Sequence, residues 1–262
     1  MIEELVADLQ AETAALGELV LPLDAPAWDL ATPAPGWSIR DQLTHLAFFD
    51  EALRLALVEP RRFDELVDDV RSSKGPYADA VARAHAHLTG TEVVAWFHQN
   101  RVELLAAVRA AEPAPRVPWF NGEKSLATML SLRLTETWAH GQDVADALGA
   151  SWRPTDRLRH VARLGHRTIG HSFAVNGRPQ PTDDIRLELD APGGDTWTFG
   201  DPDASDTVTG PAEDLCLVVT QRRHVADTKL TAVGPTATTW LTIAQIFAGA
   251  PGAGRRPGQF PA

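Results

Sequence analysis

Hydrophobic positions in the first 150 residues repeat with the period of an α-helix. Leucines follow this spacing over residues 2–20 and predict a first helix. A second helix of about 20 residues is predicted to begin with the capping-box pair Ser38 and Asp41 and to end before Pro60. The Pro- and Asp-rich stretch between the two helices is typical of a long loop, and its tryptophans are expected to pack against the core.

The helical period continues as far as Gly149. It predicts one helix from Thr91 to the residue before Pro113, and another over residues 123–149 that ends at Gly149, a residue type favoured at helix ends. Residues 64–88 have a less regular helical pattern, and residues 113–122 are predicted to form a loop. Long helices in this order favour an up-and-down helical bundle over residues 1–150.

A different pattern follows residue 150. After a helix at about 155–173, the segments DIRLELDAP, DTWTFGD and DTVTG have the composition of short strands separated by Gly, Pro and Asp. Residues 211–223 and 235–249 predict helices, with the strand DTKLTAVG between them. We therefore expect an α+β protein, in which residues 151–250 form a small α+β domain and the Pro- and Gly-rich residues 251–262 a flexible tail.

Composition narrows the class of protein. The 262 residues are 44% hydrophobic, which is enough for a sizeable core, and the net charge is −11. An acidic surface repels phosphate, so nucleic acid is not an expected partner. The chain has neither a signal-peptide pattern at its start nor an apolar run of the roughly 18 residues that span a membrane. We expect a cytoplasmic protein without a membrane partner, and the high Ala, Arg and Asp content is typical of proteins from high-GC bacteria.

The candidate chemistry begins with a glutamate and a histidine. Cys216 is the single cysteine, so a metal site would have to use His, Asp or Glu. Glu136 and His140 lie one helical turn apart and leave the same face of their helix. That face is otherwise mostly apolar, and a carboxylate turned into a core is costly unless it is paired or bound to a metal. An ordinary i,i+4 surface pair is the alternative interpretation.

His45, in the second predicted helix, is the candidate for a third ligand. Its side of the helix carries aromatic and alanine residues, so by itself it is also explained as a core histidine with a satisfied hydrogen bond. The chain has nine histidines, and those other than His45 and His140 are better explained as structural or solvated residues. Two histidines and one carboxylate would bind Zn²⁺ or a similar divalent ion and leave a coordination position open for catalysis.

Two motifs together resemble a known family. The stretch TPAPGWS with the spacing D-x3-H to His45, followed about 90 positions later by E-x3-H-G-x-D-V-A-x-A-x-G, is similar to the mycothiol-dependent maleylpyruvate isomerase family within the DinB-like group. Residues 214–249 are similar to the family's small second domain, so the resemblance covers nearly the whole chain. It implies a DinB-like four-helix bundle that holds a metal through His45, Glu136 and His140, and the thiol mycothiol as cosubstrate. Gln221 stands where the isomerases usually carry glycine, so the isomerase substrate is not carried over.

The resemblance also implies a mechanism. A thiol bound to Zn²⁺ loses its proton and becomes a nucleophile, so we expect an S-transferase or isomerase that attacks a small electrophile. Asp143, one turn after His140, could orient that ring, and Arg222 and Arg223 could bind a carboxylate, although solvated side chains explain all three equally simply. A metal-dependent hydrolase that uses bound water and a non-catalytic metal-binding bundle are the alternatives. A monomer and a homodimer are both compatible with the sequence.

Overall fold

The structure, a computed structural model, describes residues 2–111 and 116–260. The fold is α+β, as the sequence predicts, and the chain divides into two compact units, residues 1–152 and 153–262. In the described part of the chain, no helix has both the length and the apolar character that crossing a membrane requires.

The first unit is built from helices. They are α1 (Ile2–Val20), α2 (Ile39–Val58), α3 (Pro60–Ser72), α4 (Tyr77–Ala84), α5 (Gly90–Ala110) and α6 (Leu126–Leu148). Helix α2 packs against both α5 and α6, and α1 packs against α6. The two helices that carry the predicted metal ligands, α2 and α6, are therefore neighbours.

Local sequence signals explain where these helices begin and end. The predicted capping box is confirmed, because Ser38 accepts a hydrogen bond from the Asp41 backbone N–H while the Asp41 carboxylate accepts one from Ser38. Helix α5 begins at Gly90 rather than at the predicted Thr91, because Thr89 forms a second capping box. The sequence predicts that this helix ends at the residue before Pro113, which lies outside the described residues. Gly149 ends α6 in the left-handed conformation, with φ of 62°, as predicted.

Two predicted loops contain short regular elements. A 3-10 helix, Pro26–Asp29, places Trp28 in the core of the first unit. A Cβ atom at Gly90 would lie 2.2 Å from the Trp28 ring, so only glycine fits there. In the predicted loop 113–122, β1 (Arg116–Val117) pairs antiparallel with β2 (Lys124–Ser125), while residues 113–115 lie outside the described ones. Such a short ribbon is held by backbone pairing, which leaves little pattern in the sequence. Since β2 takes up the start of the helix predicted over 123–149, α6 begins at Leu126 instead of at Glu123.

A buried ion network joins the four longest helices of the first unit. Asp50 on α2 accepts hydrogen bonds from Arg101 Nε on α5 at 2.6 Å and from Arg133 Nε on α6 at 3.0 Å. Arg101 also donates to Thr13 on α1 and, at 3.0 Å, to Thr137 on α6. All of these side chains are buried, so the network fixes α2 and α6 relative to each other close to the predicted ligands.

The second unit contains a four-stranded sheet. Its elements are α7 (Leu158–Arg167), α8 (Ile169–Val175), β3 (Ile185–Asp190), β4 (Thr196–Phe199), β5 (Asp206–Pro211), α9 (Ala212–Val219), β6 (Thr231–Val233) and α10 (Pro235–Ile243). The strand order is β4-β3-β5-β6, with β3 and β5 parallel and the other pairs antiparallel. The prediction of a single helix at about 155–173 is wrong, because the helix is interrupted at Thr168. The Thr168 hydroxyl donates a hydrogen bond to the Leu164 carbonyl.

Two of the last described residues are hydrogen-bonded to earlier parts of the second unit. The side-chain oxygen of Gln245 accepts a hydrogen bond from Gly252 N at 3.2 Å, and the Asp227 carboxylate accepts one from Gly258 N at 2.8 Å. The flexibility of residues 251–262 stays a prediction, and residues 261 and 262 lie outside the described part.

Candidate metal centre

The structure brings His45, Glu136 and His140, here called the ligand triad, to one place. Glu136 Oε2 lies 3.0 Å from His45 Nε2 and 3.2 Å from His140 Nε2. One ligand atom from each residue lies within 4.8 Å of the other two. Among the described residues, this is the cluster of His, Cys, Asp and Glu side chains whose spacing could hold a metal ion.

Helix geometry sets the directions of the three side chains. Glu136 and His140 leave the same face of α6 one turn apart, and His45 faces them from the middle of α2. Their side chains are largely enclosed, with 13% of His45, 27% of Glu136 and 10% of His140 exposed. The site is therefore mostly dry, yet a small ligand can reach the Glu136 carboxylate from solvent.

The protein environment favours the protonation states that a cation needs. Burial lowers the pKa of His45 to about 4, and the nearby His140 and Arg133 act in the same direction against the opposing effect of Glu136. Burial would raise the pKa of Glu136, but its contacts with His140 and His45 outweigh that effect and hold the pKa well below its usual range. A neutral imidazole and a carboxylate are thus both present at neutral pH.

Gln42 is a member of the site that the sequence reasoning missed. It is fully buried on α2, one turn before His45, and its side-chain oxygen is hydrogen-bonded to His140 Nδ1. Its Nε2 donates to Thr32 Oγ1 at 2.7 Å, and the Thr32 hydroxyl donates to the Trp37 carbonyl at 2.9 Å. The spacing Q-x2-H on α2 could have indicated that Gln42 shares the face of His45.

Aromatic rings enclose the two histidines. The Trp37 ring is nearly parallel to that of His140, with centroids 6.0 Å apart, and lies 5.4 Å from that of His45. The Phe49 ring lies 4.6 Å from His45 on another side. Trp37 is itself held by a hydrogen bond from its Nε1 to Asp79 on α4, at 2.8 Å. These rings restrict access of water to the imidazoles.

The donor set fits a cation. His140 Nδ1 faces the Gln42 oxygen and must carry the ring proton there, which leaves a lone pair on Nε2 of the neutral ring. That lone pair faces Glu136 Oε2 at 3.2 Å, so two acceptors would oppose each other unless a positive charge lies between them. Two neutral imidazole nitrogens and a carboxylate oxygen are the ligands of an open zinc-type site.

The other residues predicted from the sequence lie elsewhere or have other neighbours. Asp143 is fully buried on α6, and the two ring nitrogens of His140 face Gln42 and Glu136, so the orienting role of Asp143 stays a prediction. Arg222 and Arg223 belong to the second unit, where Arg222 donates to the Thr220 carbonyl at 2.7 Å. The Arg223 guanidinium lies 4.3 Å above the Phe260 ring. A ligand-binding role for the two arginines stays a prediction.

Gln221 precedes the two arginines. Its φ is 60°, which lies in the left-handed region that favours glycine. Among the described residues, Gln221 is the one non-glycine residue with a positive φ. The turn that follows α9 therefore has a backbone conformation for which glycine would be the ordinary choice.

Known proteins are similar to this chain in sequence and in fold. Residues 9–145 match the mycothiol maleylpyruvate isomerase N-terminal domain. Proteins from two strains of Mycobacterium tuberculosis, both described as uncharacterised, are 42% identical over 250 residues, which is 95% of this chain and 97% of each relative. Crystal structures of the mycothiol-dependent maleylpyruvate isomerase and of a histidine-to-alanine mutant of it share the fold with a TM-score of 0.60 at 16% identity. They cover 88% of this chain and 92% of their own.

Proposed function

Because this chain belongs to the mycothiol maleylpyruvate isomerase family, we propose that it is a metal-dependent enzyme that uses mycothiol to attack a small electrophile. The observation that carries the proposal is the meeting of the ligand triad within 4.8 Å. Two imidazoles and a carboxylate favour Zn²⁺ among the divalent ions that such a set can bind. Helices α1, α2, α5 and α6 would form the DinB-like four-helix bundle around this centre. A cytoplasmic location, and the choice between a monomer and a homodimer, stay predictions.

Each member of the site has a defined task in this proposal. When bound, a divalent ion supplies the positive charge that lowers the pKa of the cofactor thiol, so that a thiolate is present at neutral pH. His45 and His140 each offer one imidazole lone pair, and Glu136 offers a negative charge that neutralises part of the ion's charge. Three protein ligands leave room for the sulfur, and the Trp37 and Phe49 rings keep water from the imidazoles.

The thiol could act either in a transfer or in an isomerisation. In a transfer, the thiol gives its proton to solvent, the sulfur lone pair forms a C–S bond, and the leaving group departs with the electron pair of the bond that breaks. In an isomerisation, addition of the thiol converts a double bond into a single bond about which rotation is possible. Breaking the C–S bond then restores the double bond and regenerates the thiol. Neither reaction consumes a redox equivalent.

The protein's own thiol does not fit the role of nucleophile. Cys216 is fully buried in α9, and burial raises the pKa of its thiol well above the usual range, with Glu213 acting in the same direction. Its Sγ lies 3.6 Å from the Leu158 carbonyl oxygen, inside the second unit. An external thiol is therefore the more reasonable source of the sulfur.

The substrate is proposed only by class. Gln221, where the isomerases usually carry glycine, separates this chain from them, so maleylpyruvate is not proposed. Arg222 and Arg223 are proposed to bind a carboxylate of the cofactor or the substrate, because a guanidinium matches a carboxylate with two parallel hydrogen bonds. Asp143 is proposed to help orient the ring of His140.

A hydrolase is the second candidate, since the same open position could hold water as the nucleophile. The test is turnover of a panel of epoxides, alkyl halides and activated alkenes by the zinc-loaded protein, with mycothiol, with glutathione and without thiol. We expect turnover that requires mycothiol, disappears with a chelator and is lost in His45→Ala. The matched control, His98→Ala, removes a half-buried histidine of α5 and should retain activity. Full turnover without any thiol would establish the hydrolase, and a metal-free active protein would overturn both candidates.

A further inference from the structure

A chain of three hydrogen bonds connects the loop before α2 to the ligand triad. The Trp37 carbonyl lies 2.9 Å from Thr32 Oγ1, which lies 2.7 Å from Gln42 Nε2. The other end of the Gln42 amide, Oε1, contacts His140 Nδ1. Gln42 is fully buried, so no solvent molecule competes for its amide, while Thr32 and Trp37 are half-buried.

The valence of each group fixes the direction of every bond in this chain. A backbone carbonyl can only accept, so the single hydroxyl proton of Thr32 points at Trp37. Thr32 Oγ1 must then accept from its other neighbour, and only the NH₂ end of the Gln42 amide can donate to it. The amide oxygen of Gln42 is consequently turned toward His140, where it too can only accept.

The last bond in the chain decides the tautomer of His140. Because Gln42 Oε1 requires a donor, the ring proton of a neutral His140 sits on Nδ1, and Nε2 keeps its lone pair. Nε2 is the nitrogen that faces Glu136 Oε2, at 3.2 Å. In the opposite tautomer, Nε2–H would donate to Glu136 and close the site with a hydrogen bond in place of a metal.

We propose that Gln42 is a positioning residue that holds His140 in its metal-binding tautomer, with Thr32 and the Trp37 carbonyl fixing the orientation of the Gln42 amide. The role rests on the metal site proposed above. Trp37 contributes twice, because its ring also lies nearly parallel to the His140 ring, at 6.0 Å. The loop before α2 thereby controls both the rotation of the His140 ring and the position of its proton.

The first test requires no metal and no substrate. Long-range ¹H–¹⁵N NMR of the metal-free protein, at a pH where His140 is neutral, distinguishes the two tautomers by the nitrogen shifts of the ring. We expect the Nδ1–H form in the wild type. We expect it also in Gln42→Glu, whose carboxylate still accepts from Nδ1. A wild-type His140 in the Nε2–H form would overturn the proposal whether or not the protein binds zinc.

The second test measures zinc affinity by competition with a chromogenic chelator. Removing a hydrogen-bond partner of a metal-ligating histidine costs about 10–100-fold in affinity, and we expect this loss in Gln42→Leu but not in Gln42→Glu. Thr32→Val removes the hydroxyl that fixes the orientation of the Gln42 amide. We expect it to lose less zinc affinity than Gln42→Leu, and it provides a second variant if Gln42→Leu does not fold. Asn100→Leu is the matched control, since this buried amide donates to the Ala47 carbonyl of α2 instead of to the triad.

The outcomes separate this proposal from the proposed function. Equal zinc affinity in wild type, Gln42→Leu and Thr32→Val would overturn the positioning role, as would an equal loss in Asn100→Leu. A wild type that binds no zinc, but whose His140 is in the Nδ1–H form, would refute the metal-dependent function and keep the hydrogen-bond chain.

Discussion

The Glu136 carboxylate and the His45 imidazole lie 3.0 Å apart, although 91 positions separate the two residues in the chain. Burying a carboxylate is costly unless it is paired or bound to a metal, and the meeting of these two side chains beside His140 suggests a shared ligand. We predict one zinc ion per chain, bound by the ligand triad. Plasma mass spectrometry of protein purified without a histidine tag measures the stoichiometry. His45→Ala and His140→Ala should each lose more than the about 10–100-fold affinity that an outer-sphere change costs.

The control for this prediction is His171→Ala, in which a histidine that contacts the Phe247 carbonyl in the second unit is removed. It should keep the full zinc content. Wild-type stoichiometry in both His45→Ala and His140→Ala would show that the metal, if any, binds elsewhere.

The metal-free protein should lose stability on acidification. The native pKa of His45, about 4, lies below the 6.5 of an unfolded chain, so between these values the unfolded state binds a proton that the native state does not. The free energy of unfolding should therefore fall as the pH falls from about 6.5 to about 4, by on the order of 3 kcal/mol from this residue. Glu136, whose native pKa is lowered, acts in the same direction below its ordinary pKa.

Urea unfolding of the chelator-treated protein at several pH values measures this loss. In His45→Gln the same pH interval should bring a smaller loss, because the group that takes up the proton on unfolding is gone. Identical pH profiles for wild type and His45→Gln would contradict the assignment of the loss to His45.

The buried network around Asp50 should contribute strongly to stability. Asp50→Ala leaves the guanidinium groups of Arg101 and Arg133 buried without their shared carboxylate, which we expect to cost about 3–5 kcal/mol. Asp68→Ala removes the carboxylate of an exposed pair with Arg71 and should change stability too little to measure. Chemical denaturation of both variants compares the two. A small loss in Asp50→Ala would mean that the arginine charges find water or another partner.

Cys216 should have no part in the chemistry. It is buried in α9, so we expect Cys216→Ser to retain wild-type mycothiol-dependent turnover. X-ray absorption of the zinc-loaded variant with mycothiol should still show a sulfur neighbour at about 2.3 Å, which cannot then come from a protein thiol. Loss of that neighbour in the variant would place a protein thiol at the metal and refute the external nucleophile.

Much of this protein is determined locally and is therefore present in the sequence. Capping boxes, the glycine at position 149 and the helical period depend on residues within one or two turns of each other, and α1, α2 and α6 follow these signals closely. The common direction of Glu136 and His140 is also local, because it follows from 3.6 residues per turn. The alternation of buried and exposed residues along β3 likewise places its apolar side chains on one face.

Apart from the ligand triad, which the family resemblance implied, only the tertiary structure decided which distant residues meet. His45 reaches Glu136 because the packing of α2 on α6 brings them together, and the spacing of either helix says nothing about that contact. The same holds for the bond between Gln42 and His140, for the two arginines that share Asp50, and for the pairing of β1 with β2. Side-chain hydrogen bonds and ion pairs depend on distances of a few ångströms between elements, and these are set by the packing of whole helices, to which every buried residue contributes.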